Sequence, residues 1–253
     1  MSEFPDIPIV SDEVTVTVTT QSLSTGIVET LTVTSTTTRI RRLPTKPGKR
    51  PSLAYEKSWM ERGHALVAGV DEAGRGPLAG PVSVAAVILP AGFKHKRLND
   101  SKQLDEDTRE SIYEELVSRA DLHWCHVHVE VDEIDRINIL KATHVGMHRA
   151  TAGLAVQPHA VLIDGSPVPG FPLPYQSVVK GDAISLSIAA ASIIAKVTRD
   201  RFMKQAAQLF PQYGFERHKG YGTPEHLAAL RAHGPCPLHR RSFEPVAQMV
   251  LPL

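Results

Sequence analysis

Residues 66–77 read Leu-Val-Ala-Gly-Val-Asp-Glu-Ala-Gly-Arg-Gly-Pro, and this stretch decides how the rest of the chain is organised. Its first half is apolar, which is typical of a buried strand. The strand ends on two consecutive carboxylates, Asp71 and Glu72, and the chain then turns through two glycines. Burying an unpaired charge costs several kcal/mol. The pair therefore lies either in water at an open strand end or beside a cation that neutralises it.

The spacing of Gly74, Gly76 and Gly80 superficially resembles that of a dinucleotide-binding loop. Such a loop must lead into a helix whose N-terminal amides hold the pyrophosphate. Residues 82–89 are instead apolar and rich in β-branched side chains, which predicts a second strand. The carboxylates before the glycines would also repel phosphate. We therefore exclude a dinucleotide site.

The composition is that of a globular protein with one large domain. Of 253 residues, 42% are apolar and 22% charged, and the net charge of +1 gives no overall field that would attract nucleic acid. Cys125 and Cys236 form no CxxC pair, which disfavours a structural zinc site or a disulfide framework. Residues 1–6 do not resemble a secretory signal, and no apolar run reaches the ~18 residues that span a bilayer. We expect a cytoplasmic protein with no membrane partner.

The first 55 residues differ from the remainder. Eleven threonines lie within residues 11–40, and six basic residues without an acidic one lie within residues 39–51. Valine alternates with threonine on both sides of a candidate turn at residues 24–26, which would suit a hairpin, but an isolated hairpin is marginal in water. We predict a disordered or weakly ordered extension over residues 1–55, with a phosphate-attracting basic arm as the alternative.

Segments of strand and helix periodicity alternate over residues 66–209, which is typical of an α/β domain. His126 and His128 share one face of the third strand and could bind a metal. Without a third ligand, we expect them to be surface or core histidines. The predicted strands span residues 66–72, 82–89, 122–131, 160–164 and 177–179. The predicted helices span residues 104–118, 137–154 (introduced by acidic residues 132–135) and 183–209.

Carboxylates end two of these strands and open one helix. Asp71 and Glu72 end the first strand, Asp164 ends the fourth, and Asp182 precedes the last helix. Hard oxygen ligands without nearby Cys or His favour Mg²⁺ or Mn²⁺. Three or four carboxylates on one site suggest two ions, roughly 3.5–4 Å apart, arranged for phosphoryl displacement.

Each carboxylate also has a structural alternative. Asp182 could be a helix N-cap, and Asp164 with Gly165 could form a turn. Asp71 and Glu72 can share one site only if the chain turns or bulges there, because successive strand side chains face opposite ways. Gly74 and Gly76 make such a turn plausible.

Seven motifs lie in order over about residues 64–246, at residues 69–77, 99–102, 163–165, 180–182, 190–200, 218–221 and 239–243. Together they resemble the motifs of bacterial ribonuclease HII. The resemblance implies one catalytic α/β domain over residues 56–253 with a ribonuclease H-like fold: a five-stranded mixed sheet, flanking helices and a C-terminal helical segment from about residue 211. It implies an endonuclease that cuts the RNA strand of RNA–DNA hybrids and cuts 5′ to ribonucleotides embedded in duplex DNA. The competing hypothesis is a non-catalytic hybrid-binding module on the same fold.

The resemblance also assigns roles to individual residues. It implies a two-metal site with Mn²⁺ or Mg²⁺, and products with a 5′-phosphate and a 3′-hydroxyl. The carboxylates implied to bind metal and catalyse are Asp71, Glu72, Asp164 and Asp182.

The same resemblance implies a set of substrate-binding residues. Gly74, Arg75 and Gly76 resemble the family's sensor of the ribose 2′-hydroxyl, mainly through backbone groups, and this hydroxyl distinguishes RNA from DNA. Tyr221 matches the tyrosine that stacks on the sugar at the RNA–DNA junction. The residues implied to contact phosphate are Lys102, Ser192 and Lys196.

Residues 248–253 weakly resemble a tail that binds the replication sliding clamp. An apolar chain end docked on the domain explains the same residues, and we prefer that interpretation. We expect a monomer whose partners are RNA–DNA hybrids and duplex DNA containing ribonucleotides.

Overall fold

The structure is a computed structural model that describes residues 10–20, 31–41, 43–46, 48 and 50–250. Contacts between residues divide the chain into two units, residues 1–45 and 46–253. In the first unit, β1 (Val10–Thr20) pairs antiparallel with β2 (Leu31–Arg41). This is the hairpin that the alternation of valine and threonine indicated. The candidate turn at residues 24–26 lies outside the described residues, and weak order of the extension stays a prediction.

The division between the units falls ten residues before the predicted boundary at residue 55. Residues 50–55 belong to the second unit, where Ser52 forms a β-bridge with Ser185. The helix α1 (Ala54–Glu61) follows directly, and Tyr55 and Trp59 on it are buried. The boundary at residue 55 between an N-terminal extension and a catalytic domain stays a prediction.

The second unit is built on a five-stranded mixed sheet in the order β5-β4-β3-β6-β7. The strand β3 lies at the centre, antiparallel to β4 and parallel to β6. The pair β4 and β5 is antiparallel, and the pair β6 and β7 is parallel. The strands are β3 (Val67–Ala73), β4 (Val82–Ile88), β5 (His123–Val129), β6 (Ala160–Asp164) and β7 (Tyr175–Val178).

Helices cover both faces of this sheet. Ala85 and Val87 of β4 belong to a core cluster with α5, while Val84 and Ala86, facing the other way, pack with α4. All seven residues of β4 are buried, which explains why its sequence is apolar except for Ser83 rather than alternating. The remaining helices are α2 (Glu106–Val117), α3 (Val131–Ile137), α4 (Ile139–Ala152), α5 (Leu186–Leu209), α6 (Phe215–His218), α7 (Pro224–His233) and α8 (Val246–Val250).

The first turn of α5 lies directly against β3 at Gly69. A β-carbon at this position would stand 2.2 Å from the carbonyl carbon of Ser187, so only glycine permits the approach. Asp71 lies two residues further along β3. The contact therefore fixes the end of the central strand against the start of the longest helix.

The predicted helix over residues 137–154 corresponds to α4, but the acidic residues 132–135 do not introduce it, because they lie on a separate helix, α3. Asn138 separates α3 from α4 with a φ of +69°, and its side chain accepts a hydrogen bond from the amide of Lys141. Asparagine tolerates this left-handed conformation and is a good N-cap. The acidic residues 132–135 lie on α3.

The helix α5 begins at Leu186, three residues after the predicted start at about Ala183. The N-cap is Ser185, whose side chain accepts from the amide of Ile188. Asp182 lies instead in a short 3-10 turn, Gly181–Ala183. Its carboxylate is therefore not used for capping α5, which excludes the structural alternative for this residue. Among the described residues, no helix is both long and apolar enough to cross a membrane.

Candidate active site

Three carboxylates meet at one edge of the sheet. Asp71 comes from the end of β3, Asp164 from the end of the parallel neighbour β6, and Asp182 from the turn after β7. One carboxylate oxygen from each lies within 4.8 Å of the others. Asp71 and Asp182 are 4% and 3% exposed. The amide of Gly181 donates to Asp164 Oδ1 over 2.6 Å and orients that carboxylate.

The cluster carries more negative charge than its surroundings neutralise. Burial, and then repulsion from neighbouring carboxylates, raises the pKa of Asp71 well above its usual value. Burial also raises the pKa values of Asp164 and Asp182. One cation offsets part of this charge, since Lys102 Nζ lies 3.2 Å from Asp182 Oδ2. A divalent ion held by these oxygens would remove the repulsion.

Glu72 lies beside this cluster and not within it. Its Oε1 accepts from Arg75 Nη1 over 3.2 Å, while its Oε2 is buried without a hydrogen-bond partner. Burial raises the pKa of Glu72 as well. The sequence predicts a turn or bulge at Asp71 and Glu72 if both are to share one site. The structure has none there, since β3 pairs regularly with β4 through both residues. Both side chains still line one cleft, because β3 ends there.

The cleft at this edge has a volume of about 240 Å³. It brings together all the residues that the sequence proposed for substrate binding, from segments far apart in the chain. Asp182, behind Lys102, is not among the lining residues. The lining consists of Asp71, Glu72, Ala73, Gly74, Arg75, Gly76, Ser101, Lys102, Asp164, Ser192, Lys196, Arg199 and Tyr221.

The three residues proposed to contact phosphate already have partners within the chain. Lys102 pairs with Asp182, Lys196 donates to Asp200 over 2.7 Å, and the buried hydroxyl of Ser192 lies 2.7 Å from that of Ser101. Lys102 has an exposed side chain, so it can exchange its partner at little cost.

The two glycines of the loop after β3 differ in what requires them. Gly74 has a φ of +92°, and a β-carbon there would stand 1.9 Å from Nε of Arg199. A β-carbon at Gly76 would make only an ordinary contact, 3.9 Å from the ring of Tyr221. The fold therefore requires glycine at position 74, whereas at position 76 the fold leaves room that a side chain would fill.

Two buried arginines behind this loop were not assigned a role from the sequence. Arg240 donates to the carbonyls of Gly74, Arg75 and Gly80. Both Arg199 and Arg240 are 0% exposed. Arg199 donates in the same way to three carbonyls, those of Ala79, Pro81 and Lys219.

A pair of buried histidines holds the backbone of Tyr221. His239 Nδ1 accepts from the amide of Cys236, so its Nε2 carries the proton and donates to His226 Nε2 over 3.0 Å. His226 Nδ1 then donates to the carbonyl of Tyr221. Burial lowers the pKa of His239 to about 4, so this histidine is neutral at pH 7.

The histidines of β5 lie apart from the carboxylates. His126 Nε2 lies 2.9 Å from the hydroxyl of Ser83, and burial lowers the pKa of His128 to about 4. In the part of the chain that the structure describes, Asp71, Asp164 and Asp182 form the one group of three side chains with metal-ligand spacing.

The sheet order, the flanking helices and the carboxylates at the sheet edge define a nuclease-type α/β protein with the ribonuclease H-like fold, as predicted. A family model described as "Ribonuclease HII" matches residues 68–246. The chain is 55% identical over 196 residues to "Ribonuclease HII" of Halalkalibacterium halodurans, covering 78% of this chain and 74% of that one. It therefore belongs to the ribonuclease HII family of endoribonucleases, which confirms the resemblance seen in the sequence.

Solved structures show the same fold. The ribonuclease H2 of Pyrococcus horikoshii OT3 matches with a TM-score of 0.62 and 28% identity, covering 73% of this chain and 96% of that one. The RNase HII of Archaeoglobus fulgidus, solved as a complex with PCNA, matches with a TM-score of 0.60 and 24% identity, covering 71% and 95%.

Proposed function

We propose that this protein is a metal-dependent endonuclease that hydrolyses the RNA strand of RNA–DNA hybrids and cuts 5′ to single ribonucleotides in duplex DNA. The observation that carries the proposal is the joining, in one cleft, of the carboxylate cluster with the loop of residues 74–76 and Tyr221. One part can hold cations, and the other leaves room beside Gly76 in which a sugar can lie against the backbone.

The residues at the cluster fit divalent cations. Asp71, Asp164 and Asp182 offer converging oxygens, and the buried, unpartnered Oε2 of Glu72 adds a fourth carboxylate at the same strand end. These hard ligands suit Mn²⁺ or Mg²⁺. When bound, two such ions supply an activated water and stabilise the leaving oxygen, which gives a 5′-phosphate and a 3′-hydroxyl.

The remaining cleft residues fit the substrate. The open space at Gly76 lets the backbone approach a ribose and its 2′-hydroxyl, the group that distinguishes RNA from DNA. The ring of Tyr221 is 45% exposed beside this loop and can stack on a sugar or base. Lys102, Lys196 and Ser192 line the side along which a phosphate backbone would run.

The test is cleavage of an end-labelled DNA duplex that contains one ribonucleotide, with Mn²⁺ or Mg²⁺. We expect a single cut 5′ to the ribonucleotide and none in a duplex of identical sequence that is entirely DNA. Chelation of the metal should abolish the cut. Binding of the ribonucleotide duplex without any cut would refute the nuclease proposal and favour the alternative, a non-catalytic hybrid-binding module.

The C-terminal tail allows a separate test of a partner. Val246 on α8 is buried and Met249 is 37% exposed, while residues 251–253 lie outside the described residues. The PCNA complex of the Archaeoglobus protein supports testing whether this chain also binds a replication clamp. Equal retention on immobilised clamp with and without residues 248–253 would favour a tail docked on the domain. A monomeric state and a cytoplasmic location stay predictions.

A further inference from the structure

Arg240 is a buried charge without a charged partner. Its side chain is 0% exposed, and within the described residues it forms no ion pair. Its donors go to backbone carbonyls: Nη2 to Gly74 over 2.6 Å, Nη1 to Arg75 over 2.8 Å and Nε to Gly80 over 2.9 Å. Burial lowers the pKa of Arg240 to about 9, so the guanidinium remains charged at pH 7.

Packing alone does not explain this arrangement. A buried charge is costly, and an apolar side chain of similar volume often gives equal or greater stability. The segment around Arg240 is already tied to the loop by backbone bonds, since Arg240 N donates to the carbonyl of Leu78 and Gly80 N donates to that of Leu238. What the guanidinium adds to these backbone bonds is donors for three further carbonyls, two of them in the loop that borders the cleft.

The two carbonyls of Gly74 and Arg75 fix the direction of the amides that follow them. In a trans peptide the C=O and the N–H point in opposite directions. Because both carbonyls point at Arg240, the amides of Arg75 and Gly76 point away from it, towards the side lined by the cleft. In the part of the chain that the structure describes, these two amides donate to no acceptor.

We infer that Arg240 is a positioning residue for substrate recognition, which holds the amides of Arg75 and Gly76 in the cleft as a pair of donors for the ribose 2′-hydroxyl. The inference rests on the proposed function. The planar fork of the guanidinium binds two adjacent carbonyls at once, which a lysine cannot do. The positive charge behind the two peptide groups also polarises them and strengthens their amides as donors.

The first test measures binding without divalent metal, so that no cut occurs. The dissociation constants of a duplex with one ribonucleotide and of the all-DNA duplex are compared for the wild type and for Arg240→Lys. We expect the wild type to prefer the ribonucleotide duplex by roughly tenfold, the contribution of one or two hydrogen bonds. For Arg240→Lys the dissociation constants of the two duplexes should be nearly equal. The affinity of this variant for the all-DNA duplex should stay within about twofold of the wild-type value.

The control separates positioning from loss of stability. Leu116→Ala truncates a fully buried side chain on α2, which belongs to the core between α2 and α5. It should lower the melting temperature and keep the preference for the ribonucleotide duplex. If Arg240→Lys also keeps the preference, Arg240 only supports the fold, and the inference is overturned.

A second measurement needs no variant and covers the case in which Arg240→Lys does not fold. The ¹H–¹⁵N resonances of Arg75 and Gly76 in the wild type should shift on addition of the ribonucleotide duplex and much less with the all-DNA duplex. Equal shifts with both duplexes overturn the inference. A wild type that cuts the ribonucleotide duplex but shows no binding preference also overturns it and leaves the proposed function standing, whereas failure to cut refutes the function itself.

Discussion

The two sides of the cleft treat buried charge in opposite ways. On one side, Asp71, Asp164 and Asp182 are crowded together; burial raises the pKa values of all three, and neighbouring carboxylates of the cluster raise those of Asp71 and Asp164 further. On the other side, Arg199 and Arg240 are equally buried, but each donates to three carbonyls. The aspartates, whose charges lack enough partners, mark the place where a ligand would bind. The two arginines, whose charges are hydrogen-bonded to carbonyls, hold the backbone around that place.

The largest effect should come from removing one unsatisfied charge. Asp71→Asn is expected to lower cleavage by at least roughly 1,000-fold, because the metal loses a ligand. The same change should raise the metal-free free energy of unfolding by about 1 kcal/mol, since it relieves repulsion. Cleavage assays and denaturant unfolding measure the two results.

A control for this variant is Asp121→Asn, which removes an exposed carboxylate paired with Arg119. It should leave cleavage within about twofold. Full activity of Asp71→Asn would refute the proposal that Asp71 is a metal ligand. A lower free energy of unfolding without metal would contradict the inference that the carboxylates of the cluster repel one another.

Removing a buried arginine from the other side of the cleft should lower the free energy of unfolding. Arg199→Leu leaves the carbonyls of Ala79, Pro81 and Lys219 buried without donors, and we expect a loss of about 3–5 kcal/mol in the free energy of unfolding. The matched change Arg217→Leu removes an exposed guanidinium that pairs with glutamates, and its effect on the free energy of unfolding should be much smaller. Equal losses in the two variants, measured by urea unfolding, would contradict the distinction between the two kinds of arginine.

Acid should lower the free energy of unfolding through His239, which lies behind Tyr221. Its pKa is about 4 in the folded protein and near 6.5 when unfolded. Between these values the unfolded chain binds a proton that the folded chain does not, so stability falls as pH falls from 6.5 towards 4. From this residue alone we expect about 2 kcal/mol less stability at pH 5 than at pH 7. Urea unfolding at both pH values should show a smaller difference for His239→Gln; an unchanged difference would refute the assignment.

The smallest change in stability should come from the loop between the two sides. Gly76→Ala should alter the free energy of unfolding by less than about 0.5 kcal/mol and reduce kcat/KM by roughly tenfold, because the methyl group fills the space kept for the sugar. Gly74→Ala should instead cost about 1–3 kcal/mol, since its φ is +92° and Arg199 lies against it. A Gly76→Ala enzyme with full kcat/KM would show that this space is not used by substrate.

The sequence was most informative where apolar strands end on charges. A run of buried residues finishing on Asp71 or Asp164 conflicts with burial, and that conflict is visible without a structure. The pairing of β3 with β6, which brings the two together, depends on the order of strands in the sheet. Residue patterns do not give that order, and only the family resemblance implied it.

The role of the buried arginines could not be predicted from the sequence in the same way. Arg240 lies in a basic tail segment and resembles a solvated arginine, because its partners are backbone carbonyls about 160 residues earlier. A carbonyl has no residue type, so such contacts leave no pattern to find. The break at Asn138 was within reach, because asparagine followed by a helical pattern is an N-cap signal.

The approach of α5 to β3 at Gly69 has a consequence for how the cleft takes up ions. The backbone contact between the strand and the helix limits how far Asp71, two residues along β3, can move from Asp182, four residues before α5. The repulsion between these carboxylates therefore lowers the free energy of unfolding, and a bound cation would offset it. We therefore expect a side chain at Gly69, which lies outside the cleft, to change the spacing of Asp71 and Asp182.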